Sequence, residues 1–256
     1  MIPGRALLLM LSLAACSGAP VIENKQQSAP SSNNGFPAAD RPVASILSPR
    51  WSTEEARDRL NEASQVMDLA GIKPDMTVAD IGAGEGYYTI RLGARVGKKG
   101  RVVAEDIVPD TIQKLAGRVI RERLDNVSVR LGLPADPRLP ENSFDRVLMV
   151  HMYHEIESPY EFLWRLRPAL LNPGGQVVVV DANRPTELHG TPPELLKCEF
   201  AAVGYTLVSM KPMPSAGGYI AIFEAGGERP EPSAIRACKS GKTAAPASMP
   251  RESKEP

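Results

Sequence analysis

Two acids, three closely spaced glycines and two imidazoles are the side chains of this sequence best placed for chemistry. The run Val78-Ala79-Asp80-Ile81-Gly82-Ala83-Gly84-Glu85-Gly86-Tyr87 follows a short β-like stretch. Glycines at such a turn let the backbone pass close to a ligand at the carboxyl end of a strand. The spacing is GxGxG; Tyr87 stands where a dinucleotide fingerprint needs its third glycine, and no Lys-Ser or Lys-Thr follows to cradle a phosphate. Asp80, just before the glycines, suits a cationic or amino-bearing ligand better than a pyrophosphate. Asp106 comes about twenty residues after Gly86, at the end of the next apolar run, where an acid can take both hydroxyls of a ribose. Further on, His151-Met152-Tyr153-His154-Glu155 follows a continuous apolar stretch. A neutral imidazole there can accept a proton near neutral pH, and a tyrosine can orient an oxygen or amine.

These groups need a frame, and the hydrophobic pattern supplies one. Ser52 and Glu55 form a capping-box pattern, and Ala56, Leu60, Ala63, Met67 and Ala70 recur at helical spacing until Gly71. Strands are expected at Thr77–Ile81, Arg101–Ile107, Val127–Leu131, Phe144–Val150, Gln176–Asp181, Tyr205–Met210 and Tyr219–Glu224. Helices are expected at Tyr87–Val96, Pro109–Arg123, from Pro159, and at Pro193–Ala202, proline being favoured in a first helical turn. Strand and helix alternate almost throughout, which predicts an α/β fold with a mainly parallel sheet and helices on both faces.

The chain has 256 residues, 30 basic and 30 acidic, with 43% hydrophobic side chains. That excludes a chain disordered throughout and a multi-span membrane protein. The even charge argues against a broad nucleic-acid footprint, and no nucleic acid is expected as partner. Three cysteines without a CxxC pair build no disulfide scaffold, and no metal site is assigned. Cys198 reads as a small core residue, Cys238 as a free thiol or an incidental disulfide partner. Asp145 and Asp181 read as structural.

Residues 1–15 read as an export signal, with Arg5 as the positive region and Ala6–Leu13 as an apolar core too short to span a bilayer. Leu13-Ala14-Ala15-Cys16 resembles the lipobox of bacterial lipoproteins, which implies lipid attachment at Cys16. Residues 16–51 read as a flexible tether and 226–256 as a disordered tail, leaving one domain at 52–225. The implied address is the bacterial cell envelope, on the periplasmic face of the outer membrane.

The glycine run, Asp106, the Asn142-Ser143-Phe144-Asp145 strand entry and the Asn172-Pro173-Gly174-Gly175 turn come in an order that resembles the class I S-adenosylmethionine-dependent methyltransferases. Each glycine alone would read as a tight turn; the ordered set carries the resemblance. It implies a Rossmann-like seven-stranded sheet with the last strand antiparallel, and S-adenosylmethionine as cofactor. It also implies that Asp80 faces the methionine ammonium, that Gly82, Gly84 and Gly86 let the loop pass the cofactor, and that Asp106 holds the ribose. Asp136 is the implied partner of the adenine amino group, although Leu133 stands where the family often has an acid. Tyr153-His154-Glu155 is similar to a segment of predicted small methyltransferases. His154 is therefore the expected general base, with Tyr153 beside it and His151 as the alternative. The expected acceptor is small or lipid-like. A lipid-anchored envelope protein that keeps the fold without turnover is the alternative.

Overall fold

The computed structural model describes residue 1, residues 35–46 and residues 53–239. Ser52, Cys16, the export signal and the end of the chain beyond 239 lie outside the described residues. Seven strands form one sheet in the order β3-β2-β1-β4-β5-β7-β6. These are β1 (Thr77–Ile81), β2 (Arg101–Asp106), β3 (Val127–Leu131), β4 (Arg146–Val150), β5 (Gln176–Asp181), β6 (Tyr205–Met213) and β7 (Gly218–Ala225). The first five pair in parallel, and β7 runs antiparallel to both β5 and β6. The expected α/β class, strand number and reversed last strand are thus present.

The helices are α1 (Glu54–Arg59), α2 (Glu62–Leu69), α3 (Tyr87–Val96), α4 (Pro109–Arg121), α5 (Pro159–Leu166) and α6 (Pro193–Ala202). The single helix expected from Ser52 to Ala70 is two helices. Asn61 breaks it with φ +53°, the left-handed conformation that a short polar side chain tolerates. The side chain of Thr53 caps α1 by accepting from Ala56 N.

The central strands bury both faces, so alternate side chains feed two layers. Val177 and Val179 join Ala79, Ile81, Val147 and Met149 in the layer under α5 and α6. Val178 and Val180 join Val78 and Leu148 in the layer under α2 and α3. All four valines are fully buried, each contributing about 1.5–3 kcal/mol. This double-sided burial holds the carboxyl ends of β1, β2, β4 and β5 at one rigid edge.

Parts of the two arms are packed. Phe36 and Ile235 join the core under α5 and α6, Asp40 and Lys239 form a parallel bridge, and Ala44 N donates to His154 O. Arg41 forms a buried ion pair with Glu199 at 2.9 Å. Cys198 of α6 is bonded to Cys238. Neither cysteine is therefore a free thiol, and the bond ties the chain after β7 to the domain. Composition missed this because the anchoring apolar residues, Phe36, Ile235 and Cys238, are single and aperiodic.

Candidate active site

A cavity of about 480 Å³ opens at the carboxyl ends of β1, β2 and β4, the place where open α/β sheets bind ligands. Asp80, Gly82, Gly84 and Asp106 line it. The glycine loop leaves β1 and enters α3 with positive φ at all three glycines. At Gly84, φ is +55° and a Cβ would meet no atom within 4 Å, so its bare side faces open space. Gly86 differs: it does not line the cavity, and its Cβ would sit 2.5 Å from Leu115 Cδ1 at φ +91°. Its part is to let the loop pack on α4, not to clear a ligand.

Asp106 is fixed by backbone donors on both oxygens. Gly84 N donates to Oδ2 at 3.0 Å, and Val108 N donates to Oδ1 at 2.9 Å. Each carboxylate oxygen keeps a further lone pair for a ligand hydroxyl. Asp80 is 3% exposed and accepts from Thr89 Oγ1 at 2.6 Å. Burial pushes its carboxyl up to about 6, against the opposing hydrogen bond from Thr89. Beside it, burial and the charge of Asp106 raise Glu105 to about 8, and Glu105 Oε1 has no hydrogen-bond partner. Glu105 packs against Gly132, where a Cβ would collide with that oxygen.

Asp136 stands back from the cavity lining, although its charge helps to raise Glu105. It accepts from Arg138 N at 2.8 Å within its own turn and lies 3.7 Å from Arg165, and it is not among the cavity-lining residues. The adenine role implied for it by resemblance therefore has no geometric support; Pro134, Ile107 and Val108 reach the cavity instead.

The edge after β4 also departs from expectation. His151, with φ +54°, lines the cavity, and burial lowers its pKa from the usual histidine value. Tyr153 is turned away, fully buried, donating to Glu199 at 2.7 Å beside Arg41. It is a structural link between the 3-10 turn Tyr153–Glu155 and α6, not a group on the cavity. His154 is also fully buried and does not line the cavity, so an acceptor there cannot reach it directly. Its Nδ1 lies 3.0 and 3.1 Å from the two oxygens of Asp181. Asp181 is thus more than a strand residue. Glu155, which does line the cavity, is raised to about 7 by burial against the opposing effect of His154. Ligand atoms of His154, Glu155 and His189 lie within 4.8 Å of one another, close enough to share a metal ion.

The cavity has a polar cover built on Tyr87 and Tyr88, two residues that the sequence offers either for the substrate entrance or for helix packing. Tyr87 donates to Asp58 at 3.0 Å, Tyr88 donates to Glu62 at 2.9 Å, and Arg57 lies 3.8 Å over the Tyr87 ring. Their partners lie 29 and 26 positions away, on either side of the α1–α2 break, where local pattern does not reach. Among the described residues, eight carboxyl side chains and two arginines line the cavity, an acidic excess even with Glu105 protonated.

A family profile described as "Methyltransferase domain" matches residues 72–221. Among curated relatives, an arsenite methyltransferase of Halobacterium salinarum is 28% identical over 161 residues, 60% of this chain and 40% of that protein. A ubiquinone/menaquinone biosynthesis C-methyltransferase of Hydrogenovibrio crunogenus is 29% identical over 160 residues, 62% of this chain and 58% of that protein. The chain thus spans about half the length of these relatives. Among solved structures, an S-adenosylmethionine-dependent methyltransferase of Aquifex aeolicus superposes with a TM-score of 0.57 at 22% identity, covering 67% of this chain and 97% of that one. A [4+2]-cyclase superposes with 0.58 at 17% identity, covering 75% and 90%, so the fold alone also serves other chemistry. With more than half of its length matched by the profile, this chain belongs to the methyltransferase domain family, and its cofactor is S-adenosylmethionine.

Proposed function

We propose that this protein transfers a methyl group from S-adenosylmethionine to a small acceptor, or to the reactive end of a lipid-like one, at the cell envelope. The observation that carries the reading is the coupling of Asp106 to Gly84 N at the rim of a cavity shared with His151. The residues fit the cofactor. Asp106 keeps a lone pair on each oxygen for the ribose hydroxyls, Gly84 offers an open flank, and Asp80 supplies a carboxylate for the ammonium. When bound, the cofactor supplies an electrophilic methyl group on a sulfonium.

The chain's part is to bind, orient and exclude water. A cavity near 480 Å³ is of the size one drug-sized ligand fills, so little room is left beside the cofactor. That favours a small acceptor or the tip of a larger one, uncharged or cationic in view of the carboxylate lining. His151 replaces His154 as the group placed to take the acceptor's proton, since it alone of the two lines the cavity. Location at the envelope is supported by the lipobox-like Leu13–Cys16 run and by the Cys198–Cys238 bond, a linkage that persists in oxidising compartments.

The test is calorimetric titration of the full chain with S-adenosylmethionine and S-adenosylhomocysteine. Saturable binding of both is expected. Asp106→Ala should weaken it about ten- to hundred-fold, the loss of charge-assisted bonds worth about 1.5–3 kcal/mol. Unchanged affinity in that variant would remove the site assignment.

A further inference from the structure

Behind the wall of the cavity lies a group of side chains that cofactor binding does not use. His154 sits in the 3-10 turn Tyr153–Glu155 after β4, and His189 follows the 3-10 turn Thr186–Leu188 after β5. Their rings meet edge to face with centroids 5.5 Å apart. Glu155 adjoins both, and it shares the cavity wall with His189.

The hydrogen bonds fix the chemistry of His154. The carboxylate of Asp181 accepts from Ala182 N at 2.8 Å and from Thr191 Oγ1 at 2.7 Å. With those donors and His154 Nδ1 all converging on it, Asp181 acts as acceptor and Nδ1 carries the proton. In the neutral ring, Nε2 is left with its lone pair. That atom is buried and, among the described residues, has no hydrogen-bond partner. A lone pair sealed from water and unpaired is costly unless something occupies it. A carboxylate that orients one imidazole nitrogen while the other stays free to coordinate is the arrangement of metal-bound histidines.

We propose that His154 Nε2, His189 and the Glu155 carboxylate bind one divalent transition-metal ion of the zinc type in the cavity wall. Two imidazoles and a carboxylate suit zinc better than magnesium or calcium, which favour all-oxygen sets. Zinc bonds of about 2.0–2.2 Å require the three ligand atoms to draw together by an ångström or so from their separations of up to 4.8 Å. His189 and Glu155 are partly exposed and line the cavity, so the shift falls to them, whereas the buried His154 is oriented by Asp181. Three protein ligands leave a coordination position, and it opens on the side of the cavity that Glu155 and His189 line; water or an acceptor heteroatom would take it. The acidic excess among the described lining residues favours a dication. The site does not depend on the methyl-transfer reading.

Chelator-treated full chain titrated with Zn²⁺ in a calorimeter tests this, with thermal melts in parallel. One ion per chain and a raised melting temperature are expected. His189→Gln and Glu155→Gln, both at the cavity wall, should each weaken Zn²⁺ binding at least ten- to hundred-fold. In the wild-type chain, the imidazole nitrogen resonances of His154 and His189 should shift on adding Zn²⁺, a readout that needs no variant to fold. Absence of saturable binding, resonances that stay in place, or full binding in both variants would overturn the site. S-adenosylmethionine affinity measured without metal reports on the cofactor site separately, so failure of one leaves the other standing.

Discussion

The carboxyl ends of β1 and β2 differ in construction from those of β4 and β5, although both face one cavity. At the first, backbone does the work: Gly84 N and Val108 N aim Asp106, and the partner of Asp80 is only nine residues away. At the second, side chains from distant loops are assembled: His154 leans on Asp181, Thr191 holds Asp181, and His189 closes the group. On the proposed function, the cofactor half is thus written locally, while the wall of the cavity opposite it is written by packing. A turn can specify one site from contiguous residues; the other depends on loops that the scaffold brings together.

The comparison predicts that the two halves fail differently. The largest effect is expected for His151→Ala, with turnover falling about a hundred- to ten-thousand-fold while cofactor affinity stays near wild type. Transfer of a labelled methyl group, measured beside calorimetric binding, checks it; equal losses in both would make His151 part of the cofactor half. Next in size is Gly86→Ala. Positive φ costs about 1–2 kcal/mol, and a Cβ 2.5 Å from Leu115 adds an overpacking cost of about 1–3 kcal/mol. Urea unfolding should therefore show a loss of about 2–5 kcal/mol. Gly84→Ala, with open space around its Cβ, should lose only the backbone share of stability and show its damage in cofactor affinity. Similar unfolding losses for the two would erase the distinction between a packing glycine and a ligand glycine.

How much was legible follows the same divide. The strand run Thr77–Ile81, the glycine loop and Asp106 are contiguous or separated by one helix, so local pattern located them. The reversal of β7 is implied by resemblance alone, since periodicity reports burial and not direction. Tyr153 and His154 follow β4 as expected but face away from the cavity. A 3-10 turn rotates successive side chains by a third of a turn, which sends Tyr153 to Glu199 and leaves only Glu155 on the cavity wall. His189 carries no sequence signal, because its place depends on the loop after β5 and on a left-handed backbone at φ +56°. Glu105 reads as a strand residue next to Asp106; its buried place in the cavity wall depends on the bare Gly132 after β3.

The smallest expected effect tests whether Asp80 belongs to the cofactor half electrostatically. Burial raises its carboxyl to about 6 in the absence of ligand. An acid raised in the folded state favours folding while protonated, so this contribution to stability is fully present below about pH 3.8. It is lost as pH rises through about 6. Ligand binding has the opposite sign: the ammonium needs the ionised carboxylate, which dominates above pH 6. From pH 7 to pH 5 the ionised fraction falls about tenfold, so cofactor affinity should weaken by about tenfold, near 1.4 kcal/mol. The cofactor's α-amino group stays charged over this range, so the change reports on the protein. Calorimetry in buffers of different ionisation enthalpy should also detect proton release on binding near pH 5 to 6. Asp80→Asn should bind more weakly at pH 7 and lose the slope between pH 7 and 5. A slope that survives in Asp80→Asn would move the titrating group elsewhere in the cavity and leave Asp80 as the partner of Thr89 alone.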